Sequence, residues 1–582
     1  MIAAVRSSLR ASALVLAIAL GCLPAQVLAA SRTAPAARSG MVVSAEPIAS
    51  QVGLDVLIDG GNAVDATIAT AFALAVVFPK AGNIGGGGFL LYRDASTGTA
   101  DIVDFRETAP AGATPTMYLG PDRNPVPGLS TDGYLSIAIP GTVAGLAAAH
   151  ERYGLLPWHR LLRPAIQLAR YGFPVSEALA RSIEKAAPVL GRYPSAAAVF
   201  LPGGKPPAVG SIFKQRELAR TLSRISRYGA DGFYRGSVAE AIESDVRAHG
   251  GILTREDLAG YRVRIRRPLE GTYGEYRLLV VPPPSSGGAL LLEILNMLEP
   301  YQISRFGPLS SRTVHLMTEV ERRAFADRAA FFGDPDFTDV PVEGLISKQY
   351  ALSRTSDISL DRAGVSADVK AGEPQAKRVP HLSSWPAESP DTTHLAVVDR
   401  WRNVAALTYT LNDSYGSKTI AAGTGVLLND EMDDFSSKPG TPNLYGLVGD
   451  KANEIRPGKR PVSSMCPTIV LKNGRPFLVL GTPGGSTIIT SVAQVLLNVV
   501  DHGMPLQEAV DAPRVHHQWL PDRIQIEDRA LAQDVRAALD RLGHTIAVRE
   551  PIGDFQALHI DPIRGIIEGA SDPRGCGEPR GY

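Results

Sequence analysis

Two short stretches of the 582-residue chain carry groups that could perform acyl-transfer chemistry. Thr392, Thr393 and His394 follow a proline-rich segment. A threonine that becomes an N-terminus by cleavage has a hydroxyl nucleophile and an α-amine base on one residue. Gly484 and Gly485 precede a predicted helix, where backbone N–H groups and the helix dipole could stabilise an oxyanion. Ordinary alternatives stay open, because threonine is common at strand starts and a glycine pair also makes a tight turn.

Charged residues that could bind a zwitterion occur at two other places. Arg106 follows a predicted strand and could bind a carboxylate through its planar fork of N–H donors, although such a residue also makes structural ion pairs. Glu431, Asp433 and Asp434 put three acids within four residues. Carboxylates suit an ammonium ion, but an acidic cluster of this kind is also typical of a solvated loop.

Metal and nucleotide patterns do not occur in the sequence. His394, His516 and His517 lack metal-ligand spacing, and there is neither a His-Glu-x-x-His motif nor a paired Cys-x-x-Cys motif. The glycine run at 85–88 is not followed by Gly-Lys-Ser/Thr and does not have Gly-x-Gly-x-x-Gly spacing. The sequence therefore predicts no catalytic metal and no cofactor. Cys466 lacks the local signature of a thiol nucleophile and is interpreted as a small buried side chain.

These candidate residues lie beside predicted strands and helices. Hydrophobic periodicity and the positions of glycine and proline predict a helix that begins after an Asn62 N-cap. They also predict strands at 89–93, 101–106 and 477–480, helices at 155–170 and 315–330, a helix ending near 500, and a hairpin of strands 393–398 and 404–411. Thr392 then stands at the start of a strand. Mixed elements of this kind indicate an α/β or α+β class.

The net charge and the N-terminal sequence indicate which partners and which cellular compartment to expect. Fifty-nine basic residues balance fifty-nine acidic ones, so no overall field attracts nucleic acid or an anionic membrane. Arg6 and Arg10 precede an apolar run at 11–22, which predicts a signal peptide at 1–29. The run is shorter than the ~20 residues of a membrane span. We expect export to the periplasm or medium without a stable membrane span, with a lipoprotein signal at Cys22 as the alternative.

Only Cys466 and Cys576 remain once a signal peptide is removed. Two cysteines are too few for a disulfide scaffold, and sequence alone does not place their Cα atoms within bonding range.

Several ordered motifs between about residue 41 and the C-terminus together resemble the γ-glutamyltranspeptidase family. They are Gly60-Gly-Asn-Ala-Val-Asp-Ala66, Gly82-Asn-Ile-Gly-Gly-Gly-Gly-Phe89, Asp104-Phe-Arg-Glu107, Thr392-Thr-His394, Thr408-Tyr-Thr-Leu-Asn412, Asn429-Asp-Glu-Met-Asp-Asp-Phe435, Arg460-Pro-Val-Ser-Ser-Met465 and Thr482-Pro-Gly-Gly-Ser486. Each motif is weak alone, but their common order makes the resemblance specific.

The resemblance implies an α+β fold, a four-layer αββα sandwich of the N-terminal-nucleophile hydrolase type. It implies one precursor that cuts itself between Asp391 and Thr392, giving a large subunit, 30–391, that ends in a Pro-rich linker and a small subunit, 392–582. The two subunits would remain together as a heterodimer. Thr392 would be the nucleophile, with Thr410 as its supporting hydroxyl.

The same resemblance implies roles for the other candidate residues. Gly484 and Gly485 would be the oxyanion donors. The groups that would hold the substrate α-carboxylate are Arg106, Ser463 and Ser464, and those that would hold its α-ammonium group are Asn412, Glu431 and Asp434. Tyr445 would belong to a lid loop that covers the bound glutamyl group and regulates water access.

The implied substrates are γ-glutamyl donors such as glutathione, with amino acids or peptides as acceptors. A glutaryl-cephalosporin-type acylase of the same family is the alternative enzyme, and its substrate lacks the α-amino group. A non-catalytic secreted binding protein on the same fold is a further alternative. The sequence does not decide between hydrolysis and transfer, because that balance depends on how well an amine competes with water for the acyl-enzyme.

Overall fold

The computed structural model describes residues 32–374, 392–438, 440, 443, 446–447 and 449–582. The predicted signal peptide, Asp391 and Tyr445 lie outside these residues. The elements below belong to one compact unit, Ala34–Tyr582.

The strands are, in chain order, β1 (Ala36–Ala37), β2 (Met41–Ser44), β3 (Gly87–Arg93), β4 (Ala100–Asp104), β5 (Phe173–Pro174), β6 (Ile212–Phe213), β7 (Arg264–Arg266), β8 (Leu269–Tyr273), β9 (Tyr276–Val280), β10 (Thr392–Val398), β11 (Val404–Thr410), β12 (Ile420–Ala421), β13 (Val426–Leu427), β14 (Thr468–Lys472), β15 (Arg475–Gly481), β16 (Val515–His516), β17 (Ile524–Glu527), β18 (Ile546–Arg549), β19 (Gln556–Ile560), β20 (Ile567–Ser571) and β21 (Glu578–Gly581).

The α-helices are α1 (Pro47–Ile58), α2 (Ala63–Val77), α3 (Thr142–Tyr153), α4 (Trp158–Tyr171), α5 (Glu177–Leu190), α6 (Pro194–Phe200), α7 (Arg216–Tyr228), α8 (Asp231–Tyr234), α9 (Gly236–Ala248), α10 (Arg255–Gly260), α11 (Gly287–Leu298), α12 (Ser311–Phe331), α13 (Val342–Leu345), α14 (Lys348–Thr355), α15 (Thr487–Val500), α16 (Leu506–Asp511) and α17 (Gln533–Leu542).

Two seven-stranded antiparallel sheets form the middle of the molecule. One has the order β21-β2-β10-β11-β3-β4-β7, and the other has the order β1-β20-β19-β15-β14-β9-β8. The sheets face each other through β10 and β19 and through β11 and β15. Helices α1 and α2 cover the outer face of the first sheet, and α11 and α15 cover that of the second. This is the four-layer αββα sandwich of the α+β class that the resemblance implies.

The burial pattern of β10 follows from this layering. Successive strand side chains point to opposite faces of a sheet. Ala396 and Val398 pack into the core between the sheets, whereas Leu395 and Val397 pack into the core beneath the helices. Both faces of the sheet are covered, so every residue of the strand is buried. Thr392 is an even number of residues from Ala396 and Val398 along the strand. Its side chain therefore lies on the same face as theirs, the face turned towards the second sheet.

The predicted elements agree with the observed ones apart from their ends. Asn62 caps α2 as predicted, because its Oδ1 accepts from Asp65 N at 2.9 Å while Asp65 Oδ2 accepts from Asn62 N at 3.1 Å. Helix α4 begins later than predicted, after Pro157, and α12 begins earlier, after the Ser310 cap. Local capping chemistry decides such boundaries.

Cys466 and Cys576 are both free thiols. Cys466 is buried, as predicted, and burial raises the pKa of its thiol to about 12. None of the helices in the described parts of the chain is long and apolar enough to cross a membrane.

Candidate active site

The centre of the candidate site is the start of β10. Thr392 lies directly opposite Thr410 on β11, and the Thr392 hydroxyl donates to Thr410 Oγ1 at 3.3 Å. Thr410 Oγ1 also accepts from the backbone N–H of Asn412 at 2.8 Å. On the next same-face pair, His394 Nδ1 and Thr408 Oγ1 are 2.8 Å apart. The register of the hairpin therefore fixes the two threonine hydroxyls side by side at the edge of the inter-sheet core.

A glycine turn from the second sheet faces this pair. Gly484 and Gly485 follow β15 with φ values of 138° and 57°, which glycine adopts readily. A Cβ at Gly484 would lie 2.4 Å from Thr487 Oγ1, so no larger residue fits without a shift. Thr487 N donates to Gly484 O at 3.0 Å as α15 begins. The turn presents backbone N–H groups at a helix start, which is an arrangement that can stabilise an oxyanion.

A cavity of about 20 Å³ joins these groups, with room for about one water molecule. Eight of the predicted site residues line it: Arg106, Thr392, Thr410, Asn412, Asp434, Ser463, Ser464 and Gly485. Glu431 and Gly484 do not line it. The sequence did not predict the four other residues that line it: Arg328, Leu447, Met465 and Ile488.

Arg106 is the hub of a buried ion-pair cluster. Its Nη1 donates to Glu431 Oε2 and, at 3.3 Å, to Glu107 Oε2, while its Nη2 donates to Asp434 Oδ2. Its Nε and Nη2 also donate to backbone carbonyls at 3.4 and 3.2 Å. The side chains of Arg106, Glu107 and Glu431 have no solvent exposure, and that of Asp434 is 13% exposed. The guanidinium therefore joins acids that the sequence interpretation had treated as a separate ammonium subsite.

Burial governs the ionisation of this cluster. It raises the pKa of Glu431 well above its usual range, raises that of Asp434, and raises that of Glu107 to about 7. Burial opposes the charge on Arg106, but the attraction of the three carboxyls outweighs it and raises the Arg106 pKa. Three acids around one guanidinium thus make a site that is poor in positive charge.

The serine pair is held by a segment from the first part of the chain. Ser463 N donates to Pro284 O at 3.1 Å, and Ser286 N donates to Ser463 O at 2.8 Å. Ser464 Oγ accepts from Arg328 Nη2 at 3.3 Å. Arg328 is on α12, in the sequence Ala326-Asp327-Arg328. Charged residues of a helix usually lie on its exposed face, so the sequence gave no signal that this arginine reaches the site.

One group of described side chains has the residue types of a metal site: His315, Glu319 and His544. His315 Nδ1 and His544 Nε2 are 2.7 Å apart in a hydrogen bond, and His315 Nε2 lies 2.8 Å from Ser359 O. Glu319 accepts from Arg323 at 2.9 Å and pairs with Arg322 at 3.4 Å. These contacts already occupy the ligand atoms, and the arginines oppose a cation. We interpret the group as a polar core network.

The sandwich, with a threonine hydroxyl at the first residue of a central strand, defines an N-terminal-nucleophile hydrolase. The sequence profile of the family described as Gamma-glutamyltranspeptidase matches residues 49–582. The chain belongs to this family.

Three relatives show how far the similarity extends. The chain is 45% identical over 574 residues to the glutathione hydrolase proenzyme of Pseudomonas sp. (strain A14), covering 96% of this chain and 97% of the relative. It is 44% identical over 539 residues to the glutathione hydrolase proenzyme of Escherichia coli (strain K12), covering 92% and 91%. The crystal structure of a cephalosporin acylase from Bacillus halodurans matches with a TM-score of 0.82 and 29% identity, over 96% of this chain and 98% of that one.

Proposed function

We propose that this chain is the precursor of a γ-glutamyltransferase that also hydrolyses glutathione. The observation that carries the proposal is the meeting of Thr392, Thr410 and Gly485 at one cavity in a member of this family. The glutathione hydrolase proenzymes that resemble it do so over more than nine tenths of the chain, so the similarity is not confined to the fold or to one segment.

Maturation is proposed to use the same hydroxyl as catalysis. Thr392 Oγ1 attacks the carbonyl carbon of Asp391 and the peptide C–N bond breaks, so that the acyl group moves to the hydroxyl oxygen as an ester while the hydroxyl proton passes to the departing nitrogen. Water then hydrolyses the ester and leaves a free α-amine on Thr392. The products are a large subunit, 30–391, and a small subunit, 392–582, which stay together as a heterodimer. Thr410 supports this step because it holds the Thr392 hydroxyl at 3.3 Å.

Turnover then follows from the new N-terminus. The Thr392 α-amine takes the hydroxyl proton as the oxygen attacks the γ-carbonyl carbon of the donor. The N–H groups of Gly484 and Gly485 stabilise the negative oxygen that forms. The leaving amine takes the proton, and a γ-glutamyl ester remains on Thr392. Water resolves the ester as hydrolysis, and the amine of an amino acid or peptide resolves it as transfer.

Substrate recognition is proposed to divide between the two ends of the glutamyl zwitterion. Arg106, Ser463 and Ser464 take the α-carboxylate, while Asn412, Glu431 and Asp434 take the α-ammonium group. Asp434 lines the cavity, whereas Glu431 does not line it and accepts from Arg106 Nη1. The role of Tyr445 in a lid rests on the family resemblance. Fixing both charged ends positions the γ-carbonyl beside Thr392.

The acylase alternative is supported by the structural similarity to a cephalosporin acylase. A glutaryl chain lacks the ammonium group, however, and a site for it does not need the two acids Glu431 and Asp434, of which Asp434 lines the cavity. Such a chain would bring no ammonium group to offset the negative charge that Glu431 and Asp434 add around Arg106. Sites built around a polar group reject analogues that lack it by more than the ~1–3 kcal/mol of a missing methylene. The acidic cluster therefore favours γ-glutamyl donors.

The deciding experiment combines a denaturing gel, N-terminal sequencing and two chromogenic substrates. The purified protein should give two bands, one of them starting Thr392-Thr393-His394, and should cleave γ-glutamyl-p-nitroanilide far faster than glutaryl-p-nitroanilide. Comparable rates for the two substrates would favour the acylase. A protein without turnover would favour the non-catalytic alternative.

Two variants test the assignment of the nucleophile. Thr392→Ala should leave one uncut chain and no activity. Thr393→Val is the matched control, because the buried Thr393 Oγ1 has no hydrogen-bond partner among the described residues. It should mature and react like the parent. If the Thr392→Ala protein still gave two bands, Thr392 would not be the nucleophile that cleaves the precursor.

Export is proposed from the signal peptide pattern at 1–29. Cell fractionation should place the processed protein in the periplasm or medium, and its large subunit should begin near residue 30. A product that keeps residues 1–29 or remains in the cytoplasm would overturn this part of the proposal.

A further inference from the structure

Three apolar side chains line the cavity among its charged and polar groups: Leu447, Met465 and Ile488. All three residues are buried, with exposures of 9%, 2% and 1%. None of them has a role in the proposed chemistry, which uses hydroxyl, carboxyl, guanidinium and backbone N–H groups. Ligand sites combine apolar walls with a few polar groups that fix orientation, so these side chains indicate an apolar part in the ligand.

Met465 and Ile488 lie beside the two ends of the proposed donor site. Met465 directly follows Ser463 and Ser464, which are proposed to take the α-carboxylate. Ile488 is on the first turn of α15, and its backbone N–H donates to the carbonyl of Gly485, in the proposed oxyanion turn, at 3.2 Å. A glutamyl group joins its charged α-carbon to its γ-carbonyl through two methylene groups. This apolar stem has to cross the cavity between the same two ends.

The fold holds both apolar residues firmly. Ser285 Oγ donates to Met465 O at 2.6 Å, and Met465 N donates to Ser463 Oγ at 3.1 Å. A Cβ at Gly287 would lie 2.3 Å from Met465 O, so the two segments are in close contact. Ile488 packs into the core between the sheets as α15 begins. Because a close-packed interior yields little, the fold rather than the ligand sets the length of the site.

We propose that Ile488 and Met465 are specificity-determining residues, which select donors by the length of the chain between the α-carbon and the scissile carbonyl. This inference rests on the proposed function and narrows its donor class. The site accepts γ-glutamyl groups and rejects β-aspartyl groups, one methylene shorter, and δ-(α-aminoadipyl) groups, one methylene longer. A shorter chain does not bring its carbonyl to Thr392 while its charged end is held, and a longer chain overpacks the apolar wall.

The test compares the p-nitroanilides of these three acyl groups, which differ only in the number of methylenes. One methylene in an apolar pocket changes specificity by about 10- to 200-fold, so the parent should prefer the γ-glutamyl substrate to each of the others by at least that lower factor in kcat/KM. Ile488→Ala and Met465→Ala, which enlarge the cavity, should each raise the ratio of the δ-(α-aminoadipyl) to the γ-glutamyl value by about 10-fold. Neither should improve the β-aspartyl substrate, because added space does not lengthen a chain.

The matched control is Ile489→Ala. Ile489 is the next residue of α15 and is buried in the same core between the sheets, but it does not line the cavity. This variant should lower Tm as Ile488→Ala does and leave the ratios among the three substrates unchanged. Ile488→Val removes only one methyl group and is safer for folding, and it should move the δ-(α-aminoadipyl) ratio in the same direction by a smaller factor.

Two kinetic outcomes would overturn the proposal. Unchanged ratios in Ile488→Ala and Ile488→Val would show that Ile488 does not contact the donor chain. Equal changes in Ile488→Ala and Ile489→Ala would show that a loosened core, rather than the cavity wall, alters selectivity.

A binding measurement separates this inference from the proposed function. Calorimetry with L-aspartate, L-glutamate and L-2-aminoadipate needs no turnover; the parent should bind L-glutamate most tightly, and Ile488→Ala should narrow its preference over L-2-aminoadipate. A parent with this preference that does not cleave γ-glutamyl-p-nitroanilide would refute the proposed function and support the inference. A parent that cleaves all three p-nitroanilides equally well would refute the inference alone. A parent that neither binds these amino acids nor cleaves the substrates refutes both.

Discussion

Thr410→Val is the sharpest test of how the hairpin supports the nucleophile. The substitution keeps the branched shape of the side chain but removes the oxygen that accepts from the Thr392 hydroxyl at 3.3 Å and from Asn412 N at 2.8 Å. Thr410 is buried at 3% exposure and Asn412 at 2%, so the substitution removes an acceptor from a buried N–H group. The variant therefore changes both the stability of the turn and the orientation of the nucleophile.

The two effects have different sizes. Removing the acceptor of a buried N–H costs about 1–3 kcal/mol of unfolding free energy. In a chain of this length that shift moves Tm by only a few degrees. The chemical effect is larger, because a hydroxyl displaced by about 1 Å loses up to about 100-fold in rate. We expect both the cleavage of the precursor and kcat to fall by about 10- to 100-fold.

The assay follows precursor disappearance on a denaturing gel over hours and measures kcat for γ-glutamyl-p-nitroanilide on the processed fraction. Thr410→Ser is the control, because it keeps the oxygen and loses only a methyl group, and it should stay within about 3-fold of the parent. If Thr410→Val matured and turned over as fast as Thr410→Ser, the hydroxyl pair would have no role in activating Thr392.

The remaining predictions concern the buried charges. Arg106→Ala should abolish saturation by γ-glutamyl donors and also lower Tm, since removing one partner of a buried ion pair costs about 3–5 kcal/mol; a melting curve equal to the parent's would contradict the structural part. Asp434→Asn should narrow the kcat/KM ratio between γ-glutamyl- and glutaryl-p-nitroanilide, and an unchanged ratio would remove Asp434 from the ammonium site. Burial raises the pKa of Glu46, the N-cap of α1, from 4.5 to about 7, so its protonated form favours the fold and that stability is lost as pH rises through 7. Glu46→Gln should therefore show a smaller fall in Tm between pH ~5 and 8 than the parent, and parallel Tm profiles would refute this.

The hairpin and the glycine turn were predictable because their signals are local. Alternating apolar residues on either side of a polar turn predict β10 and β11, and their register then places Thr392 against Thr410. Glycines before an apolar helix predict a turn at Gly484 and Gly485. The sandwich itself and the roles of the site residues came from the family resemblance, since composition and periodicity left the topology open.

Helix α12 shows why the rest could not be predicted. A surface helix buries an apolar face and exposes its charges, and the charged sequence of α12 fits that description. In the structure Glu321, Arg322, Asp327 and Arg328 are all buried, each in contact with elements far away in the chain. Long-range partners decide whether such a charge is solvated or forms part of a site, and one sequence does not reveal them. The contact of Arg106 with Glu431, 325 residues away, is of the same kind.

The strand order determines how the two products of the proposed cleavage are held together. With the proposed cut before Thr392, β2 lies between β10 and β21, and β9 lies beside β14, so both sheets contain strands from both products. The proposed cleavage would therefore occur in a chain that has already folded. The two subunits could then dissociate only if both sheets opened. Once unfolded, however, the pieces would have to find each other by diffusion, whereas the precursor closes the same pairings within one chain. We therefore expect the processed enzyme to stay folded because it unfolds slowly, since the separated subunits would not refold reversibly.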